Sequence, residues 1–251
     1  IYVINSNIYE DFIIHVYVSK GYETHPLYPI LTELDKEDNF KLIVVDKEFN
    51  NTEPTMWRMI PLWNEDTDTL LCRDIDSLPT INEVKATKGF IDSKYLVHTM
   101  RTHNNHNSHN TKMLAGLCGF KRGIKDVIPV KDFDSYYNYS TGTWGCDQDT
   151  MIKIFYTDII DKKKLFLDSA IVSETHKNVL VNNEAGYINY HNNNYHNKFL
   201  SFANNYTKWS GEPIDFRKSE LLNVIDDDNK YSLTMRKILN DNETLKNFYT
   251  I

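Results

Sequence analysis

Short apolar runs alternate with stretches of helical spacing along the first half of the chain. FIIHVYV from Phe12, KLIVV from Lys41 and TLLCR from Thr69 have strand length and composition, and YLVHTM from Tyr95 reads as a further strand. Between them lie helix-like segments. One opens at Pro26 and Pro29 and runs through Leu31 and Leu34. EPTMWRMIPLW spaces Met56, Met59 and Ile60 for a helix, with Pro54 suited to its first turn, and another stretch runs through Val84 and Phe90. Strands alternating with helices predict an α/β layer fold with a mainly parallel sheet flanked by helices.

The second half has fewer apolar runs. Residues 102–111 and 182–205 are polar and rich in Asn, His or Tyr, which predicts loops, whereas DQDTMIKIFY reads as a helix with Asp147 and Asp149 in its first turn. DFRKSELLNVI and SLTMRKILNDNETLKNFY, beyond Gly211, have helical patterns. The expected organisation is one domain over residues 1–210 and a C-terminal helical appendage over 211–251.

Composition removes some function classes. With 251 residues, 41% of them hydrophobic, the chain can bury a core without staples. A net charge of -7 and no basic stripe argue against a nucleic-acid partner. No apolar run is long enough to span a bilayer. Cys72, Cys118 and Cys146 are an odd count without framework spacing, expected to be small packing residues of a reduced, cytoplasmic protein; for a viral chain that compartment is the host cell's cytoplasm.

The strongest local signal is TLLCRDIDSLPT, an apolar strand ending in Arg73-Asp74-Ile75-Asp76-Ser77. Paired carboxylates at a strand end lie where α/β sheets bind ligands, and they suit Mg²⁺ or Mn²⁺, hard cations that prefer oxygen donors. An Asp-x-Asp pair is common, and a solvated turn is its bland alternative. Downstream come Arg101 and His103 before the polar loop, then the small residues Ala115, Gly116 and Gly119, then Asp147, Gln148 and Asp149.

Taken in order, MWRMIPLW from Met56, RDIDS from Arg73, HTMRTHNNHN from His98, MLAGLCGFK from Met113 and GCDQD from Gly145 resemble the blocks of a family of GT-A-fold glycosyltransferases. WSGEP near Trp209 resembles a shorter block. Thr102, Asn104 and Cys118 depart from the family's Asp, Pro and Trp. The family also carries a nucleotide-contacting strand and helix upstream of the strand that matches FIIHVYV, so part of the nucleotide pocket is expected to be missing from this chain.

The resemblance implies transfer of a hexosyl or pentosyl unit from a nucleotide-diphosphate sugar, with Mn²⁺ or Mg²⁺, to a hydroxyl of a glycan, protein or small molecule. It implies Asp76 as the direct metal ligand, and Asp74 on the metal or the ribose. Arg73, Arg101 and His103 would serve the diphosphate or donor sugar, Gly116 would line the sugar pocket, and Asp147 and Gln148 would face the reacting centre. In an inverting enzyme Asp147 would be the base; in a retaining one Gln148 would lie beneath the sugar. His176 or Asp168 are candidates for a third metal ligand.

Other readings compete. A haloacid-dehalogenase-like phosphatase would use Asp74 as nucleophile and Asp76 as acid/base. An inactive glycosyltransferase fold would keep only sugar binding or a structural role. The histidines His98, His103, His106 and His109 lack the spacing of a zinc site. Trp57 and Trp63 are expected in the core, and Asp226, Asp227 and Asp228 in a solvated turn.

Overall fold

A computed structural model describes residues 5–6, 9–46, 53–74, 81–100, 113–156, 159, 165–168, 186–187 and 230–241. The chain divides into two compact units, residues 1–48 with 214–251, and residues 49–213. The first boundary has no counterpart in the sequence pattern.

In the first unit, β1 (Ile14–Ser19) and β2 (Phe40–Val45) pair in parallel from Ile14↔Phe40 to Ser19↔Val45. They are joined through α1 (Tyr28–Leu34), whose first turn holds Pro29, a position where a missing N–H costs nothing. Ile30, Leu34 and Phe40 are buried. The C-terminal helix α5 (Lys230–Asp241) packs against α1. It begins two residues before the Ser232 expected from sequence; the expected DFRKSELLNVI helix lies outside the described residues.

The second unit holds β3 (Thr69–Arg73), β4 (Val97–Met100), β5 (Leu117–Lys121), β6 (Leu165–Asp168) and β7 (Gly186–Tyr187), in the order β3-β5-β4-β6-β7. β4, β6 and β7 run parallel, but β5 runs antiparallel to both β3 and β4. The described strands therefore make a parallel pair and a mixed sheet rather than one mainly parallel sheet, and the fold is mixed α/β. The sequence explains where expectation and structure part. β3 and β4 run the same way with α2 (Ile81–Asp92) between them, as the strand-helix alternation predicts. The sequence between β4 and β5 is polar and has no helical pattern, whereas a parallel return needs a long crossover connection, usually a helix.

Both faces of β5 are covered. Gly119 of β5 meets Leu71 and Phe90, so one face receives α2. The other face carries Cys72, Cys118 and Phe120, which join a core with Met56, Met59, Leu62, Met151 and Phe155. All three cysteines are buried, as expected of packing residues. Among the described residues no helix is long and apolar enough to cross a membrane.

Two covering elements depart from the α-helix expected. Glu53–Trp63 is a 3-10 helix throughout, with Pro61 inside it. Its three-residue period stacks Met56, Met59 and Leu62 on one stripe, each 1% exposed or less. Each such side chain stabilises by about 1.5–3 kcal/mol. Pro61 has no N–H to give to an α-helical ladder, which favours the tighter winding. The second element follows the short helix α3 (Phe133–Tyr137), starts as α4 (Cys146–Met151) and widens into a π-helical turn, Ile152–Tyr156. Ile154, Phe155 and Tyr156 are buried there and hold α4 to the sheet.

Candidate functional site

Asp74 directly follows β3, at the carboxyl end of the strand that contains Leu70 and Leu71, as its apolar run predicts. Alternation along β3 puts it on the face of Cys72, toward the 3-10 helix, and puts Arg73 on the opposite face. Arg73 Nε and Nη1 are shut away from solvent. Arg73 and Asp74, both expected at the donor site, thus stand on opposite faces of the strand.

Gly116 explains how the Asp74 carboxylate fits. The β3–β5 register ends at Arg73↔Leu117, so the next step sets Asp74 beside Gly116. A Cβ at residue 116 would overlap the carboxylate, with Oδ1 only 2.6 Å away. Glycine here makes room for an acid. The resemblance placed Gly116 in a sugar pocket; in the structure its Cα lies against the Asp74 side chain.

From the covering layer comes Arg58, in the middle of the 3-10 helix. Its Nη1 donates to Asp74 Oδ1 at 2.9 Å, and its Nε donates to the Thr55 carbonyl at 2.9 Å. The same Nε lies 3.5 Å from Asp147 Oδ2. The guanidinium is 19% exposed, the Asp74 side chain 46% and the Asp147 side chain 8%. Burial acts against the charge on Arg58, but the carboxylates of Asp74 and Asp147 outweigh it and raise the pKa above the ordinary arginine value. Sequence reading gave Arg58 no role. The available signal was a lone cation in the apolar run MWRMIPLW, which burial allows only with a counter-charge.

Asp147 is the second residue of α4. The cap position belongs to Gly145, whose φ of 80° lies in the left-handed region and which supplies no side-chain cap. Asp147 is therefore not the cap, which was the bland reading of its position. Burial pushes its pKa above the ordinary carboxylate range, opposed by Arg58 and by hydrogen bonding from the Gln148 backbone; Asp74 adds to the rise. Gln148 beside it is half-buried and Asp149 is exposed. Trp144 stands three residues before Asp147 and is 87% exposed.

Asp76, Arg101, His103 and His176 lie outside the described residues, and so do His106, His109 and the Asp226–Asp228 turn. His98 sits on β4, buried and stacked on Phe90 at a centroid distance of 5.2 Å. Burial lowers its pKa to about 3, and the neutral ring is a packing element. Trp57 is buried, and Trp63 packs on Phe133 and Tyr136, which places both in the core. Asp168 closes β6 in register with Met100. Among the described residues no group of three His, Cys, Asp or Glu side chains is arranged to hold a metal ion.

The structure therefore joins Arg58, Asp74, Gly116 and Asp147 in one array, with Gln148 next to it. Arg58 bonds Asp74 and lies beside Asp147, and Asp74 rests on Gly116. Chemically, it offers a half-exposed carboxylate for a cation or hydroxyl, and a buried carboxylate of raised pKa beside a cation. Comparison of the chain with protein-family models, with curated proteins and with solved structures finds no match.

Proposed function

We propose that residues 49–213 carry a metal-dependent glycosyltransferase site, which moves a sugar from a nucleotide-diphosphate donor to a hydroxyl acceptor. One observation carries this reading. Four of the sequence blocks on which the family resemblance rests, separated by up to ninety residues, meet through Arg58, Asp74, Gly116 and Asp147. Blocks that resembled the family by chance would have no reason to converge on contacting side chains.

In this reading Asp74 and Asp76 serve the divalent cation. The Asp74 carboxylate fits such a role: it is half-exposed and points hard oxygen donors from a strand end. A bound Mn²⁺ or Mg²⁺ would neutralise the leaving diphosphate. Arg58 balances the two carboxylates when they stand together. Asp147 takes the proton of the acceptor hydroxyl in an inverting reaction, or, with Gln148, orients the sugar in a retaining one. A raised pKa makes the Asp147 carboxylate a stronger base than an ordinary aspartate. As a base it must be ionised, so turnover falls as pH drops through that raised pKa.

The phosphatase alternative asks Asp74 to be a free nucleophile; its bond to Arg58 and its rest on Gly116 do not favour that. The test is Mn²⁺-dependent release of nucleoside diphosphate from a panel of nucleotide sugars, beside release of phosphate from a phosphomonoester. Diphosphate release that Asp147→Asn abolishes supports the proposal. Phosphate release alone would replace it with the phosphatase.

A further inference from the structure

We infer that Arg58 is a positioning residue, which locks the carboxylates of Asp74 and Asp147 into one array and thereby sets the geometry at the reacting centre. For its effect on turnover this rests on the glycosyltransferase reading; for the array itself it does not.

The geometry is that of a clamp. Nε is committed to the Thr55 carbonyl at 2.9 Å, one turn back in the same 3-10 helix, which fixes the plane of the guanidinium. With that plane fixed, Nη1 reaches Asp74 Oδ1 at 2.9 Å, and Nε faces Asp147 Oδ2 at 3.5 Å. The helix that carries Arg58 is itself held by Met56, Met59 and Leu62, all essentially inaccessible. Asp74 comes from the end of β3 and Asp147 from the start of α4, and Arg58 reaches both. The cation between them is what keeps two like charges in register.

Lysine cannot do this work. An ammonium is one donor centre on a flexible stem, whereas guanidinium presents several N–H groups in a rigid plane. Arg58→Lys keeps the charge and loses the simultaneous hold on Thr55, Asp74 and Asp147. A residue needed only for local charge balance would tolerate the exchange; a positioning residue would not.

Two measurements on the full chain test this. The first is a double-mutant cycle in melting temperature with Arg58→Gln and Asp147→Asn, which requires no activity. In the Arg58→Gln background Asp147 is a buried carboxylate without its cation. Asp147→Asn should therefore raise the melting temperature more there than in the wild type. If the two changes are additive, the clamp is refuted. The second uses Arg58→Lys, which should fold. The affinity for UDP or GDP with Mn²⁺ should stay within about threefold, while transfer turnover should fall at least tenfold. Equal losses in binding and turnover, tracking melting temperature, would reduce Arg58 to a structural residue and overturn the positioning role. Non-additivity in the cycle, with no nucleotide sugar turned over by the wild type, would leave the array standing and overturn the glycosyltransferase reading instead.

Discussion

The two sheets of this protein are built to different standards of burial. In β1 and β2 most positions are only half-buried, and Val44 is 47% exposed. In β4 every residue is buried, and β5 is buried up to Lys121 at its end. A two-stranded sheet is marginal by itself, and the first unit depends on α1, with α5 packed against it, to shelter one side. Side chains cover both faces of β5, and the candidate site stands on that well-packed part. Residues whose mutual geometry matters to a few tenths of an ångström are found where packing leaves them no freedom.

That contrast can be broken deliberately. The largest effect should come from Phe120→Ala: the ring is inaccessible and packs on Phe155 at 4.8 Å between centroids. It should cost about 3–5 kcal/mol in denaturant unfolding, whereas Val44→Ala should cost well under 1 kcal/mol. Similar costs for the two would remove the distinction. Next comes Asp147→Asn, expected to lower transfer turnover by about 10²-fold or more with nucleoside diphosphate affinity retained. Unchanged turnover would strip Asp147 of its role.

Gly116→Ala tests the seat of the Asp74 carboxylate. The added methyl must displace the acid, so a stability loss of about 1–3 kcal/mol should accompany weaker Mn²⁺-dependent nucleotide binding, read by calorimetry. Normal binding would mean that Asp74 need not stay where it is. The last effect belongs to the buried β4. Neutral His98 has a folded pKa of about 3 against 6.5 unfolded, so the unfolded chain takes up a proton first as pH falls. The stability contribution is complete above pH 6.5 and is lost toward pH 3. In that window His98→Gln should lose about 1.4 kcal/mol less per pH unit than the wild type. Parallel pH profiles would contradict the burial of an uncharged ring.

Much of the local structure was legible in the pattern of apolar residues. TLLCR gave β3 with its bounds, and the acid after it fell at the strand's carboxyl end. The spacing of Met56 and Met59 was legible too, but a period of three and one of 3.6 are alike over one turn. Only Leu62 and Pro61 distinguish them. The direction of β5 was not legible, because strand composition carries no sign of parallel or antiparallel pairing. For the site, the acids were legible and Arg58 was not. Its place in the array arises from contacts with residues sixteen and eighty-nine positions away, Asp74 and Asp147, which no local spacing encodes. Gly116 was legible as a close-approach glycine, and the group that approaches it in the structure is the Asp74 carboxylate.

The central claim is that the array around Arg58 is a nucleotide-sugar site. The most direct measurement is nucleoside diphosphate release from UDP-, GDP-, CDP- and dTDP-sugars by the full chain, with Mn²⁺ and after its chelation. At least one donor should be consumed with Mn²⁺, with the rate lost on chelation and in Asp147→Asn. No release from any donor, together with no Mn²⁺-dependent rise in melting temperature on adding the four nucleoside diphosphates, would contradict the account.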